Sequence, residues 1–159
     1  MAEVVQALAG RRQAGERVVF TNGCFDLLHV GHLRYLEEAR KFGQVLVVGV
    51  NSDASVGRLK GLERPVVGQQ ERAEMLAALE PVDFAVIFDE DTPVEMLRIL
   101  RPDVHVKGGD YRAEDLPEAE VLAAYGGQVR IIDQVPEHST RTLIERIKRG
   151  LPADASEEG

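Results

Sequence analysis

Phe20-Thr21-Asn22-Gly23-Cys24-Phe25-Asp26-Leu27-Leu28-His29-Val30-Gly31-His32 is the stretch whose reading decides the fold. An apolar run, Val18-Val19-Phe20-Thr21, has the character of a buried parallel strand. It passes through a tight turn into a segment carrying two histidines three residues apart. Residues at that spacing share one face of a helix, so both imidazoles are expected to flank main-chain N–H groups that lack intrahelical partners, at the positive end of the helix dipole. Such a place binds anions. Gly31 between the histidines has no Cβ, which lets a phosphate approach the backbone. The stretch is read as a nucleotide phosphate site.

Working outward, Val4, Val5, Leu8 and Ala9 recur at helical spacing and predict a leading helix over residues 3–14, closed by Gly15. Downstream, Leu33, Leu36 and Ala39 mark the inner side of the helix that follows the turn, and Gly43 ends it. Val45-Leu46-Val47-Val48-Gly49-Val50 is a second apolar strand. The order strand, helix, strand demands a crossover in a parallel sheet. Asn51-Ser52-Asp53 follows that strand's carboxyl end, where open α/β sheets bind ligands, and a polar loop with Arg58, Lys60 and Arg64 runs to about Gly68. Loops of that length commonly serve as lids.

The same reasoning predicts a helix over 69–79, a strand over 82–88 and a helix start with Thr92 as N-cap and Pro93 at the first helical position. It continues with a strand over 104–107, a short helix over 113–125, a strand over 129–132 and a helix over 139–149. Residues 1–150 are therefore read as a single α/β domain, with a Rossmann-like, doubly wound, mainly five-stranded parallel sheet. Residues 151–159 are read as a flexible polar tail. The polar clusters at 21–32, 51–60, 107–111 and 137–142 all follow strands and should converge on one edge.

A formal charge of −8 and a pI of about 5.0 argue against nucleic acid and anionic membranes as partners, since both call for a basic face. No apolar run approaches the length of a membrane span, and the first residues lack the pattern of a signal peptide. A cytoplasmic location is expected. The single cysteine, Cys24, forms no internal disulfide and reads as a small buried residue rather than a nucleophile. No cysteine–histidine set has zinc-site spacing, so no protein metal ligands are expected.

No Gly-X-Gly-X-X-Gly follows the first strand and no Gly-Lys-Ser/Thr loop occurs, which weakens dehydrogenase and P-loop readings. The remaining candidate is transfer at a nucleotide phosphate. There one anion attacks another, and the protein supplies positive charge and alignment. At this point the chain resembles a family. His29-Val30-Gly31-His32 after a first strand resembles the signature of the nucleotidylyltransferase superfamily. Residues 20–29, Asn51-Ser52-Asp53-Ala54-Ser55-Val56, Arg58-Leu59-Lys60-Gly61, Arg64-Pro65-Val66, Glu90-Asp91-Thr92-Pro93 and Val106-Lys107-Gly108-Gly109-Asp110-Tyr111 are similar to the adenylyltransferase domain of ADP-heptose synthases.

The resemblance implies an enzyme that transfers AMP from ATP to a sugar 1-phosphate of the heptose type, releasing pyrophosphate, with Mg2+ accompanying the triphosphate. It implies that His29, His32 and Lys60 are catalytic. Gly23, Cys24, Phe25, Gly31, Lys107, Gly109, Asp110, Ser139 and Thr140 would bind nucleotide, and Asn51, Asp53 and Arg141 would face the acceptor. A phosphate nucleophile is already ionised, so no general base is needed. Alternatives stand beside these roles. Asp26 serves as a cap or a metal contact, Asn51 and Asp53 as turn formers or ligand contacts, Ser139 and Thr140 as caps or phosphate contacts, and Arg72 as a helix-surface residue or a nucleotide contact. A cytidylyltransferase using CTP and glycerol 3-phosphate or another small phosphate has the same framework, and a nucleotide-binding regulator is the non-enzymatic alternative.

Two departures from the family pattern are visible. Ser139-Thr140-Arg141 puts a cation where a third hydroxyl is usual. The 159 residues also leave no room for the sugar-kinase domain of bifunctional relatives, so upstream phosphorylation is expected from another protein. The resemblance and the apolar leading helix admit a homodimer.

Overall fold

The computed structural model describes residues 1–110, 112–133 and 139–150. The expected tail at 151–159, Tyr111 and the Glu137–His138 part of the last polar cluster lie outside the described residues.

Five strands, β1 (Val18–Gly23), β2 (Val45–Asn51), β3 (Phe84–Phe88), β4 (Val104–Gly108) and β5 (Gln128–Ile132), form one sheet in the order β3-β2-β1-β4-β5. Every pairing is parallel. The helices are α1 (Ala2–Gln13), α2 (Val30–Arg40), α3 (Asp53–Lys60), α4 (Gln69–Ala77), α5 (Val94–Leu100), α6 (Pro117–Ala123) and α7 (Thr140–Arg149). The strand order reverses between β1 and β4, which makes the sheet doubly wound and puts a crevice at their carboxyl ends.

Side chains alternate between the faces of a strand, and β1 shows it directly. Val18 and Phe20 join Leu8 of α1, Leu97 and Leu100 of α5 and Leu122 of α6 in one apolar cluster. Val19 joins Leu36 and Ala39 of α2 and Leu76 of α4 in the other. All of these side chains are at most 1% exposed. Burial on both faces explains why the central strands read as unbroken apolar runs rather than as alternating ones.

Polar groups join the layers as well. Tyr35 of α2 hydrogen-bonds Thr21 Oγ1 at 2.7 Å and donates to the Val106 carbonyl at 3.1 Å, pinning α2 across β1 and β4. His105, fully buried, places Nε2 3.2 Å from Asn22 Oδ1.

Three local expectations change. Residues 53–60 are helical rather than loop. Ser52 caps α3 by accepting a hydrogen bond from the Ser55 N–H at 3.1 Å, a signal present in the sequence but masked by the lack of apolar periodicity. Thr92 does not cap α5; the cap position is Pro93, without a side-chain hydrogen bond, and the helix begins at Val94. The helix expected over 113–125 is broken into a 3-10 turn at Ala113–Asp115 and α6, which starts at Pro117, because proline disfavours helical geometry in the residue before it.

Burial, with a smaller contribution from Lys107 and against the opposing pull of Glu118, lowers the His105 pKa from 6.5 to about 4. His32 is lowered to about 4 by burial and by the neighbouring His29. Between about 4 and 6.5 the unfolded chain binds more protons than the folded one, so stability present above pH 6.5 is lost as the pH falls through that window. Thermal melts from pH 7 to pH 4 should show a falling midpoint, with a shallower slope in His105→Gln.

Candidate functional site

The turn after β1 is built by close packing. Phe25 has a left-handed backbone, φ 47°, a conformation uncommon for residues other than glycine. Its ring folds back so far that a Cβ on Gly23 would lie 3.1 Å from it. Only 6% exposed, the ring meets His32 with centroids 5.4 Å apart. Phe25 therefore shapes the turn from beneath, and the main chain of residues 23–25 forms its surface.

His29 is the N-cap of α2, with extended backbone, and His32 is the third helical residue. Their rings stack at 3.9 Å, 28° from parallel. The His29 N–H donates to His32 Nδ1 at 3.3 Å, a bond that assigns the proton of a neutral His32 ring to Nε2. With its pKa at about 4, His32 is neutral at pH 7 and acts as a hydrogen-bond donor through Nε2. Gly31 is buried between the histidines.

A second helix start arrives beside the first. Ser139 caps α7, its Oγ accepting from the Thr142 N–H at 3.1 Å. Thr140 Oγ1 donates to the Leu27 carbonyl at 3.4 Å, fastening the start of α7 to the turn that leads into α2. The start of α7 thus lies against the turn that leads into α2, and a helix start is an electrostatically favourable place for an anion. Arg141 projects into solvent, 3.9 Å from Glu145.

The turn is tied to the segment after α3 by two buried charges. Asp26, 3% exposed, accepts from Arg64 Nε at 2.6 Å, from the Val66 N–H at 2.8 Å and from the Val67 N–H at 2.9 Å. Burial alone would raise its pKa, but the Val67 and Val66 N–H groups and the Arg64 guanidinium hold it below the usual carboxylate value. Of its two sequence alternatives, cap or metal contact, the structure supports neither; Asp26 is a strap. Arg72, 1% exposed, lies inside rather than on the helix surface. It donates to the Val67 carbonyl at 2.9 Å, to the Cys24 carbonyl and to Asp53 Oδ1 at 2.8 Å. Val67 is thereby held through its N–H by Asp26 and through its carbonyl by Arg72.

Of the cations expected in this region, Arg58 is engaged by Asp91 at 2.8 Å and by the Asp89 carbonyl, and Arg64 by Asp26. Lys60, exposed at the last position of α3, has no ion pair to any described residue. Gly61 follows it with φ 106°, where a side chain would be strained, and turns the chain away. Cys24 is half-buried, and burial raises its pKa although Lys60, Arg72 and Arg64 pull it down. That environment makes it a weak nucleophile.

At the end of β2, Asn51 is 2% exposed and its amide donates to Ser55 Oγ at 3.0 Å and to the Glu90 carbonyl at 3.4 Å. Its side chain belongs to the framework under the site. Asp53 is about half-exposed and pairs with Arg72. Near the end of β4, Lys107 pairs with the buried Glu118 at 2.6 Å. Gly109, φ 125°, donates its N–H to the Ile132 carbonyl at 3.2 Å, and Asp110 is exposed. Glu118 and the tying role of Arg72 went unread in the sequence, because each acts on a residue distant along the chain.

Removing one partner of a buried charge network leaves the other uncompensated. Asp26→Asn should lower the unfolding free energy by about 3 kcal/mol, read from urea midpoints. Exposed Lys60→Ala should change it by less than about 0.5 kcal/mol.

Comparison with known proteins identifies relatives of this chain. Residues 20–147 match the family model described as cytidylyltransferase-like. The chain is 56% identical over 150 residues to the bifunctional protein HldE of Geotalea uraniireducens, covering 94% of this chain and 30% of that protein. It is 55% identical over 140 residues to the bifunctional protein HldE of Geobacter sulfurreducens, covering 88% and 29%. The chain thus spans about 30% of the length of the curated relatives it matches. Among solved structures, the lipopolysaccharide core biosynthesis protein of Thermoplasma volcanium superposes with a TM-score of 0.63 at 29% identity, over 76% of this chain and 97% of that one.

Proposed function

The chain belongs to the cytidylyltransferase-like family, and from that premise we propose that it is an adenylyltransferase. It transfers AMP from ATP to a sugar 1-phosphate of the heptose 1-phosphate type. The observation that carries nucleotidyl transfer is the meeting of the α2 and α7 starts around the stacked His29–His32 pair. ATP and a sugar acceptor are supported by the resemblance of the quoted sequence blocks to ADP-heptose synthases and by the identity with HldE proteins.

In this reaction an oxygen of the acceptor phosphate attacks the α-phosphorus. The bond from that phosphorus to the bridging oxygen breaks, and the electron pair leaves on pyrophosphate. Charge grows on the non-bridging oxygens and on the leaving group, so donors fixed before the reaction lower the barrier. His32 Nε2–H and His29 donate to these oxygens together with the N–H groups of the two helix starts. Lys60 brings a full charge from the end of α3. Gly23, Cys24 and Phe25 present backbone to the nucleotide; Gly31 admits its phosphates. Lys107, Gly109 and Asp110 flank the nucleotide, Ser139 and Thr140 hold phosphate, and Asn51, Asp53 and Arg141 form the acceptor side. Asn51 does so through the framework it supports.

Mg2+ supplies charge neutralisation on the phosphate oxygens when bound. No group of three His, Cys, Asp or Glu side chains among the described residues would hold a metal by itself, and Asp26 is engaged by Arg64. The residues present therefore fit a cation carried chiefly by the triphosphate, as Mg2+ commonly is. Residues 1–150 act as one nucleotidylyltransferase domain in the cytoplasm, and a homodimer is compatible with it. No helix of the described residues is long and apolar enough to cross a membrane.

The family description favours a second reading, a cytidylyltransferase acting on glycerol 3-phosphate or another small phosphate. Pyrophosphate release measured for ATP and CTP against heptose 1-phosphate, glycerol 3-phosphate and other phosphorylated acceptors separates the two. Preferred turnover with CTP overturns the first reading, and nucleotide binding without pyrophosphate release from any pair leaves a regulator. In the active pair, His29→Ala and His32→Ala should each lower kcat by about 100-fold or more with little change in Tm. A matching collapse of the melt would make the histidines structural.

A further inference from the structure

Phe20 and His105 are paired in register across β1 and β4, and their rings lie 5.4 Å apart on the sheet face covered by α1, α5 and α6. Further along each strand, alternation returns Asn22 and Lys107 to that same face at the carboxyl ends. Asn22 Oδ1 lies 3.2 Å from His105 Nε2, and Lys107 Nζ donates to Glu118 Oε1 of α6 at 2.6 Å. Helix α2, which carries His32 and is capped by His29, packs on the opposite face through Leu36 and Ala39. The crevice between β1 and β4 is therefore flanked by the histidines from one face and by Asn22 and Lys107 from the other. The two sides are joined, because Tyr35 of α2 donates to the carbonyl of Val106, the residue before Lys107.

Glu118 is 2% exposed, and its Oε2 is buried with no hydrogen-bond partner among the described residues. A buried ion pair seldom stabilises a fold more than apolar side chains of similar volume do, and an unfilled carboxylate oxygen makes it less favourable still. What the pair does supply is position. A lysine ammonium rides on a flexible stem, and the Lys107 side chain remains 26% exposed; the buried carboxylate gives it a fixed place. An ammonium carries three donors, so a bond to Glu118 holds it without exhausting it. We propose that Glu118 is a positioning residue: its carboxylate fixes the Lys107 ammonium beside the crevice, where Lys107 donates to the bound nucleotide. The inference rests on the nucleotidyl-transfer reading, but on neither the base nor the acceptor. Glu118 touches no ligand and acts through Lys107.

The test is calorimetric titration of the full chain with MgATP and with MgCTP, in the absence of acceptor. It compares the wild type with Lys107→Met, Glu118→Gln, Glu118→Asp and the double variant Lys107→Met/Glu118→Gln. Lys107→Met should weaken binding of the preferred nucleotide about tenfold. Glu118→Asp keeps the charge but withdraws it by one methylene, and Glu118→Gln keeps the length but removes the charge; each should weaken binding about fivefold. The sign is diagnostic, because losing a carboxylate near an anion would tighten binding by charge alone. In the Lys107→Met background, Glu118→Gln should change the affinity by no more than about twofold, and that double variant leaves no buried ion unpaired. Wild-type affinity in Lys107→Met or in either Glu118 variant overturns the inference and leaves the nucleotidyl-transfer reading standing. An equal loss from Glu118→Gln with and without Lys107 makes Glu118 a structural residue and overturns it too. A wild type that binds neither nucleotide overturns both.

Discussion

The carboxylate of Asp26, buried between the first turn and the segment after α3, is the interaction on which the rest of the site depends. A charge so enclosed is tolerated only when its lone pairs are filled. Arg64 and the N–H groups of Val66 and Val67 fill them. Arg72 completes the tie from the other side by holding the carbonyls of Cys24 and Val67 and the carboxylate of Asp53. The left-handed backbone at Phe25 is thus bounded by a fixed residue on each side. Strain of this kind persists only where the surroundings over-determine it, and here it aims the chain into α2 with His29 at the cap.

With that turn held, the electrostatics follow. The chain carries an excess of acidic residues, yet at one edge of the sheet it gathers two helix starts, a stacked imidazole pair and a lysine with no ion pair among the described residues. The low pKa of His32 means that the site without nucleotide holds donors rather than a fixed positive charge on that ring. Dipoles and N–H groups stay in place at little desolvation cost, while the full charge of Lys60 stands at the exposed end of α3. Fixed donors lie at the helix starts, and an exposed cation lies next to the turn at Gly61.

Much of this was legible in the chain. The apolar runs at Val18 and Val45, with a helical stripe at Leu33, Leu36 and Ala39 between them, required a parallel α/β sheet. The spacing of His29 and His32 pointed to one helix face, and the structure stacks the two rings there. Helix boundaries were less legible where local chemistry competed. The Ser52 cap of α3 was hidden in a polar stretch without periodicity, and Thr92 resembled a cap although the chain enters α5 at Pro93 without one.

What the sequence by itself determined is the class of sheet, the order of its elements and the residue types that gather after the strands. These follow from periodicity and turn chemistry, which act over a few residues. What only the tertiary structure decided is which cations are free and which are committed. Arg58, Lys60 and Arg64 look alike in the chain, but Asp91 takes the first and Asp26 the last, leaving Lys60 without an ion pair among the described residues. Arg72 reads as a helix-surface residue until Cys24, Asp53 and Val67 are brought around it. The physical reason is the same in each case. Pairing and burial of charge depend on neighbours far apart in sequence, and no local pattern records them.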